Sequence, residues 1–131
     1  MNIVDSSGWL EYFSDGPNAE FFSSPLKDPN ILIVPVITIY EVFKVVLREA
    51  GENEALQAIA AMQKGQTIDL TLSISMSAAK ISLQHGLPMA DSIILATANI
   101  FKCTLWTQDS DFENLPEVNF IPKKIACQPG H

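Results

Sequence analysis

Basic side chains are scarce in this sequence. Lysine and arginine together number 8 against 15 aspartates and glutamates, the net charge is −7, and Arg48 is the only arginine. A protein that binds nucleic acid through a basic face would show the opposite balance, so the composition argues against a simple nucleic-acid-binding module. Two explanations of the acidic balance stay open: bound divalent cations offset an acidic site, or a basic partner covers it.

Cysteines and long apolar runs are also few. The two cysteines, Cys103 and Cys127, cannot build a disulfide framework, and no basic region precedes an apolar run at the start, so we expect reduced thiols in a cytoplasmic protein. The longest apolar stretch, residues 31–37, is too short to span a bilayer, and no membrane association is expected. With 131 residues, 47% of them hydrophobic, the chain fits a single domain over residues 1–131, with a tail from about residue 122 that we expect to be disordered.

Several familiar catalytic motifs are absent. The sequence has no Walker loop, no glycine-rich dinucleotide fingerprint and no serine-centred elbow. Its two histidines, His85 and His131, have no further metal-ligating residue at a suitable spacing. The acids remain as candidates, because several carboxylates that converge form a site suited to Mg²⁺ or Mn²⁺.

What is present is an alternation of strand and helix patterns. Short apolar runs predict strands over residues 2–5, 31–34, 67–72, 103–107 and 119–121. Helical spacing predicts helices over residues 6–13, 38–50, 53–64, 73–85 and 90–101, a further helix that ends near residue 22, and a loop over 23–30. This order indicates an α/β fold with a mostly parallel central sheet, in which ligands bind at the carboxyl ends of the strands.

Two acids lie where the predicted strands end. Asp5 closes the first strand, and Asp109 follows the strand over 103–107, with Asp111 two residues further on. Each has a structural explanation as well: Asp5 would cap the following helix, and an Asx-turn would account for one acid of the pair. The local pattern does not decide between these roles and a metal site.

Two further acids lie near predicted helix starts. Asp91 falls in the first turn of an almost wholly apolar helix, where it would either complement the helix dipole or serve as a buried site acid. Glu41 follows Thr38 by three residues, which is the spacing of a capping box. From the local pattern alone, the capping role is the favoured interpretation of Glu41.

Four stretches of the chain, taken jointly, resemble the PIN domain, and specifically the VapC-type toxins of toxin–antitoxin pairs. They are residues 3–7 (IVDSS), 35–42 (PVITIYEV), 87–98 (LPMADSIILATA) and 105–112 (LWTQDSDF). Their order and spacing cover nearly the whole chain. The resemblance implies a three-layer α/β/α fold and an endoribonuclease that cleaves single-stranded RNA with Mg²⁺ or Mn²⁺.

The resemblance also implies roles for individual residues. Asp5, Glu41, Asp91 and Asp109 match the catalytic acids, of which Asp5, Asp91 and Asp109 would hold the metal ion. Three further residues would line the same site: the hydroxyl residues Ser6 and Thr107, and Asp111, which is the second choice for the fourth acid.

The expected partners are an RNA substrate, a cognate antitoxin that covers the acidic pocket, and a second copy of the chain in a homodimer. The amphipathic helical hairpin over residues 38–64 would offer apolar surface for the antitoxin or for the second copy. Two alternatives stay open: a non-catalytic PIN-like binding module, and another Mg²⁺-dependent phosphoryl-transfer domain.

Overall fold

A computed structural model describes residues 1–124 of the chain. It contains five strands, six α-helices and two short 3-10 turns. In chain order they are β1 (Asn2–Val4), α1 (Ser6–Phe13), α2 (Ala19–Leu26), a 3-10 turn (Pro29–Ile31), β2 (Leu32–Pro35), α3 (Val36–Ala50), α4 (Glu52–Met62), β3 (Gln66–Ile68), α5 (Leu72–His85), α6 (Met89–Ile100), β4 (Thr104–Thr107), a 3-10 turn (Ser110–Phe112) and β5 (Val118–Phe120).

The strands form one five-stranded sheet in the order β3-β2-β1-β4-β5. Every neighbouring pair is parallel, so the prediction of a mostly parallel sheet is confirmed, and here the whole sheet is parallel. The chain proceeds outward from β1 to β3 on one side and then returns to β4 on the other. The reversal lies between β1 and β4, which is where open α/β sheets bind ligands.

Helices cover both faces of the sheet, as the alternation of side chains along each strand requires. Ile3 and Ile33 face a core formed mainly with α5 and α6. The adjacent Val4 and Val34 face the opposite core, formed with α1 to α4. Because both faces of the sheet are covered, the structure has the three-layer α/β/α arrangement that the sequence predicted.

Three predicted element bounds are corrected. The loop over 23–30 is wrong in its first part, because α2 continues through Pro25 to Leu26. Proline is tolerated there because the helix ends one residue later and little of the hydrogen-bond ladder is lost. The helix predicted from residue 38 begins at Val36, and the strand predicted over 67–72 ends at Ile68, since Leu72 already begins α5.

The end of the chain is described only in part. Pro122 accepts a hydrogen bond from Asn18 Nδ2 at 3.0 Å, so the predicted tail is tied to α2 at its start. The rest of that prediction falls on residues 125–131, which lie outside the described residues, and a single domain over residues 1–131 stays a prediction. Within residues 1–124, no helix combines the length and apolar character needed to cross a bilayer.

Candidate active site

The four acids of the predicted catalytic set lie on segments that meet at the carboxyl edge of the sheet. Asp5 links β1 to α1, Asp91 lies in the first turn of α6, and Asp109 follows β4 after one intervening residue, Gln108. Glu41 lies on α3, the helix that follows β2. Residues that follow parallel strands lie at the same edge of the sheet, which is why acids far apart in sequence come together here.

Asp5 is the most enclosed of these acids. Its side chain is only 2% exposed, and its carboxylate accepts hydrogen bonds from Gly8 N at 2.9 Å, Ser7 Oγ at 2.9 Å and Thr107 Oγ1 at 2.6 Å. Asp5 is therefore the N-cap of α1, as its structural explanation held, and a member of the acidic cluster as well. Burial raises the pKa of Asp5 to about 6, although these hydrogen bonds act in the opposite direction.

Asp91, Asp109 and Asp111 form the tightest acidic group. One carboxylate oxygen from each lies within 4.8 Å of the other two. Burial raises the pKa of Asp91 to about 7, and the charges of Asp109, Asp5, Asp111 and Glu41 add to this shift in decreasing order. The other three acids of the predicted catalytic set, and Asp111, are thus close enough to Asp91 to affect it electrostatically.

Glu41 is connected to the site by a hydrogen bond from Ser6, and it does not take part in a capping box. Ser6 Oγ donates a short hydrogen bond to Glu41 Oε1. The predicted capping box is wrong, because Pro35 is the N-cap of α3 and Thr38 Oγ1 donates to the Pro35 carbonyl at 2.5 Å. With α3 beginning at Val36, Glu41 lies in the second turn, where it meets the start of α1.

Thr107 joins the two halves of the site. Its hydroxyl donates to Asp5 and accepts a hydrogen bond from Asp109 N at 2.9 Å. Asp109 in turn accepts from Asp111 N at 2.9 Å, which is the Asx-turn expected for this segment. One buried hydroxyl therefore sets the position of a carboxylate on β1 relative to the turn after β4.

A buried amide pair behind the site was missed by the sequence analysis. Asn18, which is 1% exposed, donates through Nδ2 to Gln108 Oε1 at 2.9 Å. Gln108 lies between Thr107 and Asp109, so this bond ties the turn that carries Asp109 to the start of α2. No local signal marks either residue, because Asn18 has the pattern of a helix start and Gln108 that of an ordinary polar turn.

The residues of this site fit a divalent cation. Every candidate ligand is a carboxylate oxygen, the donor that Mg²⁺ and Mn²⁺ prefer. None of the clustered acids has a salt-bridge partner among residues 1–124, where the one ion pair joins Arg48 to Glu49. Which acids bind stays a prediction: the geometry favours Asp91 and Asp109 with Asp111, whereas Asp5 already accepts several hydrogen bonds.

Comparisons with known structures agree with this architecture. A toxin–antitoxin complex from Klebsiella pneumoniae matches with a TM-score of 0.80 and 22% identity, over 95% of this chain and 100% of that one. The Mycobacterium tuberculosis toxin VapC20, which cleaves the sarcin–ricin loop, matches with a TM-score of 0.76 and 15% identity, over 88% and 95% of the two chains. FitAcB from Neisseria gonorrhoeae matches with a TM-score of 0.71 and 19% identity, over 92% and 96%.

Sequence comparison identifies the family. No curated protein sequence matches the chain. The family model described as the PIN domain, however, matches residues 3–118, which include all four predicted catalytic acids and Asp111. The chain therefore belongs to the PIN domain family.

Proposed function

We propose that this protein is a metal-dependent endoribonuclease that cleaves single-stranded RNA and acts as the toxin of a toxin–antitoxin pair. The observation that carries the proposal is the convergence of Asp91, Asp109 and Asp111 next to Asp5 and Glu41, with no salt bridge to a basic residue among residues 1–124. Burial and, after it, the charges of the neighbouring carboxylates raise the pKa of Asp91, and a bound divalent cation would offset the cost of ionising the cluster. The toxin assignment is supported by the similarity to the Klebsiella and Mycobacterium structures. A toxin of this kind would act in the cytoplasm.

The chemistry follows from the positions of the acids. Asp91 and Asp109, with Asp111 or Asp5, would hold Mg²⁺ or Mn²⁺. When bound, the cation supplies charge neutralisation at the scissile phosphate and a lowered pKa of water. Glu41, oriented by the Ser6 hydroxyl, accepts a proton from the attacking water. Because water is the nucleophile rather than the ribose 2′-hydroxyl, the products carry 5′-phosphate and 3′-hydroxyl ends.

A cleavage assay tests this function. Total RNA is incubated with Mn²⁺ and the wild type, Asp5→Ala or Asp91→Ala, with Asp28→Asn as a matched control. Asp28 is an exposed acid that precedes β2, at the opposite edge of the sheet. We expect the two site variants to lose at least ~100-fold of the activity and the control to retain it.

Two results would contradict the proposal. Products with 2′,3′-cyclic phosphate ends would exclude water as the nucleophile. Equal cleavage by the wild type, both site variants and a buffer control would remove the ribonuclease assignment and leave the two alternatives, a non-catalytic binding module and another Mg²⁺-dependent phosphoryl-transfer domain.

The antitoxin part of the proposal is supported by a groove between α1, α3 and α4. The groove has a volume of about 710 Å³, and its apolar lining includes Leu10, Phe13 and Val46. Glu11 and two further glutamates, Glu49 and Glu54, also line it, together with Lys123. An amphipathic helix with basic flanks fits such a lining. Ser7, which bonds to Asp5, and Gln108, which precedes Asp109, are also among the lining residues, so a segment in this groove would lie next to the acidic site.

The partner assignment has its own test. The protein encoded by the adjacent gene is co-expressed with the wild type and with a Glu11→Lys/Glu54→Lys variant, and the complexes are purified at low and high salt. We expect the wild-type complex to survive low salt and to weaken with added salt, and the variant to bind at least ~10-fold more weakly. Equal binding by both proteins would contradict the assignment of this groove.

A further inference from the structure

Helix α3 carries an exposed aromatic ring and two basic side chains beside the candidate active site. Tyr40 directly precedes Glu41 and is 60% exposed. Lys44 Nζ lies over the Tyr40 ring, 5.8 Å from its centroid, which is within the range of a cation–π contact. Arg48, the only arginine, follows one helical turn later and is also exposed. An aromatic ring accompanied by two cations therefore lies next to the acid that we propose as the proton acceptor.

These side chains lie on a different side of α3 from the antitoxin groove. At about 100° per residue, Tyr40, Lys44 and Arg48 fall within an arc of ~80°, and Glu41 lies at the edge of that arc. Val46, which lines the groove, falls ~160° from the centre of the same arc. The α3 face formed by Tyr40, Lys44 and Arg48 is therefore a surface of its own that begins at the acidic site.

Such a combination of side chains is rare in this acidic chain. Among the six helices of residues 1–124, only α3 carries two lysine or arginine residues. Lys27, Lys64 and Lys102 each precede a strand, so they lie at the edge of the sheet opposite the acids. Lys123 lines the antitoxin groove instead. A polyanion that leaves the acidic site along α3 therefore meets both cations and an aromatic ring.

We propose that the α3 face binds the RNA strand beside the scissile phosphate. An unpaired base stacks on the Tyr40 ring, and Lys44 and Arg48 contact phosphates of the same strand. Because Tyr40 is 60% exposed with Lys44 in place, a base can still reach the ring. The bases of a duplex are stacked on one another, so this face selects single strands. The inference rests on the proposed nuclease function and adds to it the residues that hold the substrate.

The positions of the two cations suit this role. Lys44 and Arg48 are separated by ~6 Å along the helix axis, so each can contact a different phosphate. Arg48 also forms an ion pair with Glu49 at 3.3 Å, but both side chains are exposed, and such a pair contributes little to stability. The guanidinium of Arg48 is therefore free to exchange Glu49 for a phosphate, which it binds through two parallel hydrogen bonds.

The test measures RNA binding by fluorescence anisotropy, with a labelled single-stranded oligoribonucleotide of mixed sequence titrated with the full chain. Ca²⁺ replaces Mn²⁺ in the acidic site, and a denaturing gel verifies that the strand stays intact. We expect Tyr40→Ala to bind ~5- to 100-fold more weakly than the wild type, and Tyr40→Phe, which keeps the ring, to bind within ~2-fold of it. Tyr12→Ala, which removes the other tyrosine of the chain from α1, should bind like the wild type.

Two further titrations separate the base from the phosphates. Duplex RNA of the same sequence should bind the wild type and Tyr40→Ala equally, because its bases cannot stack on the ring. Lys44→Gln and Arg48→Gln should each lower the slope of log affinity against log salt concentration by ~0.7, the value for one phosphate of a single strand. Lys80→Gln, at an exposed position of α5, is the matched control and should leave the slope unchanged.

The melting temperature establishes that each variant is folded, and Tyr40→Leu replaces Tyr40→Ala if it is not. Wild-type affinity in Tyr40→Ala, or an equal loss in Tyr40→Phe, would overturn the inference. A changed molar mass of Tyr40→Ala in sedimentation equilibrium would also overturn it and assign this residue to protein association. Cleavage of RNA in Mn²⁺ separates the two proposals: if the wild type cleaves while Tyr40→Ala binds normally, only the α3 site is removed, whereas a wild type that neither cleaves nor binds removes both.

Discussion

Burial and four neighbouring carboxylates hold the pKa of Asp91 near 7. In the unfolded chain this residue has a pKa of about 3.8, so it ionises there while the folded form keeps its proton. The contribution of Asp91 to stability is therefore fully present below pH 3.8 and is lost as the pH rises through 7. Asp5, with a pKa raised to about 6, acts in the same direction.

The difference between the pKa of Asp91 in the folded and in the unfolded chain predicts that Asp91→Asn changes the stability of the metal-free protein in a pH-dependent way. We expect the variant to unfold at a higher temperature than the wild type at pH 7.5, by several degrees, and at a similar temperature near pH 4. The measurement is denaturation in EDTA across this range. Asp28→Asn should follow the wild-type curve at every pH. Parallel curves for the wild type and Asp91→Asn would contradict the charge repulsion inferred at this site.

The hydrogen bonds of the Thr107 hydroxyl lead to a second prediction at the scale of one residue. Thr107→Val keeps the side-chain volume but removes the hydroxyl that donates to Asp5 and accepts from Asp109 N. Loss of such a supporting hydrogen bond typically lowers metal affinity or activity by ~10–100-fold, and we expect this range in Mn²⁺-dependent cleavage. Thr97→Val is the control, because the buried Thr97 hydroxyl bonds only to the Ile93 carbonyl of its own helix. Equal loss in both variants would indicate a general packing effect.

At the scale of elements, the close packing of α1 on β1 positions Asp5. A Cβ atom added at Gly8 would lie 2.6 Å from Val4 Cγ1 and 2.7 Å from Phe22 Cε1, and Gly8 N also donates to Asp5. Replacement of glycine by alanine inside a helix usually stabilises by up to ~1 kcal/mol. Here we expect Gly8→Ala to destabilise by ~1–3 kcal/mol through overpacking.

Urea denaturation at pH 5 measures this change in the free energy of unfolding. Gln57→Ala, at an exposed position of α4, is the control and should change the free energy by less than ~0.5 kcal/mol. A Gly8→Ala protein as stable as the wild type would show that α1 can move away from β1 without cost.

The order of the elements was predictable, because buried strands and amphipathic helices leave clear periodic patterns. Two of the wrong predictions concern the end of α2 and the start of α3. Pro25 and the polar residues around it have the composition of a loop, yet Pro25 is buried at the end of α2. Thr38 and Glu41 have the spacing of a capping box, but the N-cap is Pro35 and the helix begins at Val36, two residues before Thr38. Tertiary contacts accompany both cases: Pro25 is buried, and Glu41 accepts a hydrogen bond from Ser6, 35 positions away, which no local pattern shows.

The site was predictable only in part. Strand ends place Asp5 and Asp109 at one edge of a parallel sheet, whereas Asp91 and Glu41 entered through the resemblance to PIN domains. The amide pair of Asn18 and Gln108 was not foreseen, because a hydrogen bond between residues 90 positions apart leaves no local pattern. The proximity of Asp111 to Asp91 likewise depends on the path of the turn after β4.

At the scale of the whole molecule, a net charge of −7 and a site of clustered acids both oppose the approach of RNA. A divalent cation in the cluster offsets part of this negative charge and relieves the repulsion between the carboxylates. We therefore expect Mn²⁺ at ~100 times its dissociation constant to stabilise the protein by ~2.7 kcal/mol. Thermal denaturation at pH 7.5 with Mn²⁺ or EDTA measures the shift. The shift should shrink at pH 5.5, where protons compete for Asp91, and a shift that does not depend on pH would contradict the assignment.

The most direct test is a calorimetric titration of the metal-free protein with Mn²⁺ at pH 7.5, without RNA. Wild type and Asp28→Asn should give the same saturable binding, and Asp91→Asn should bind at least ~10-fold more weakly. Absence of binding to the wild type, or equal binding by Asp91→Asn, would contradict the claim that the clustered acids form a divalent metal site.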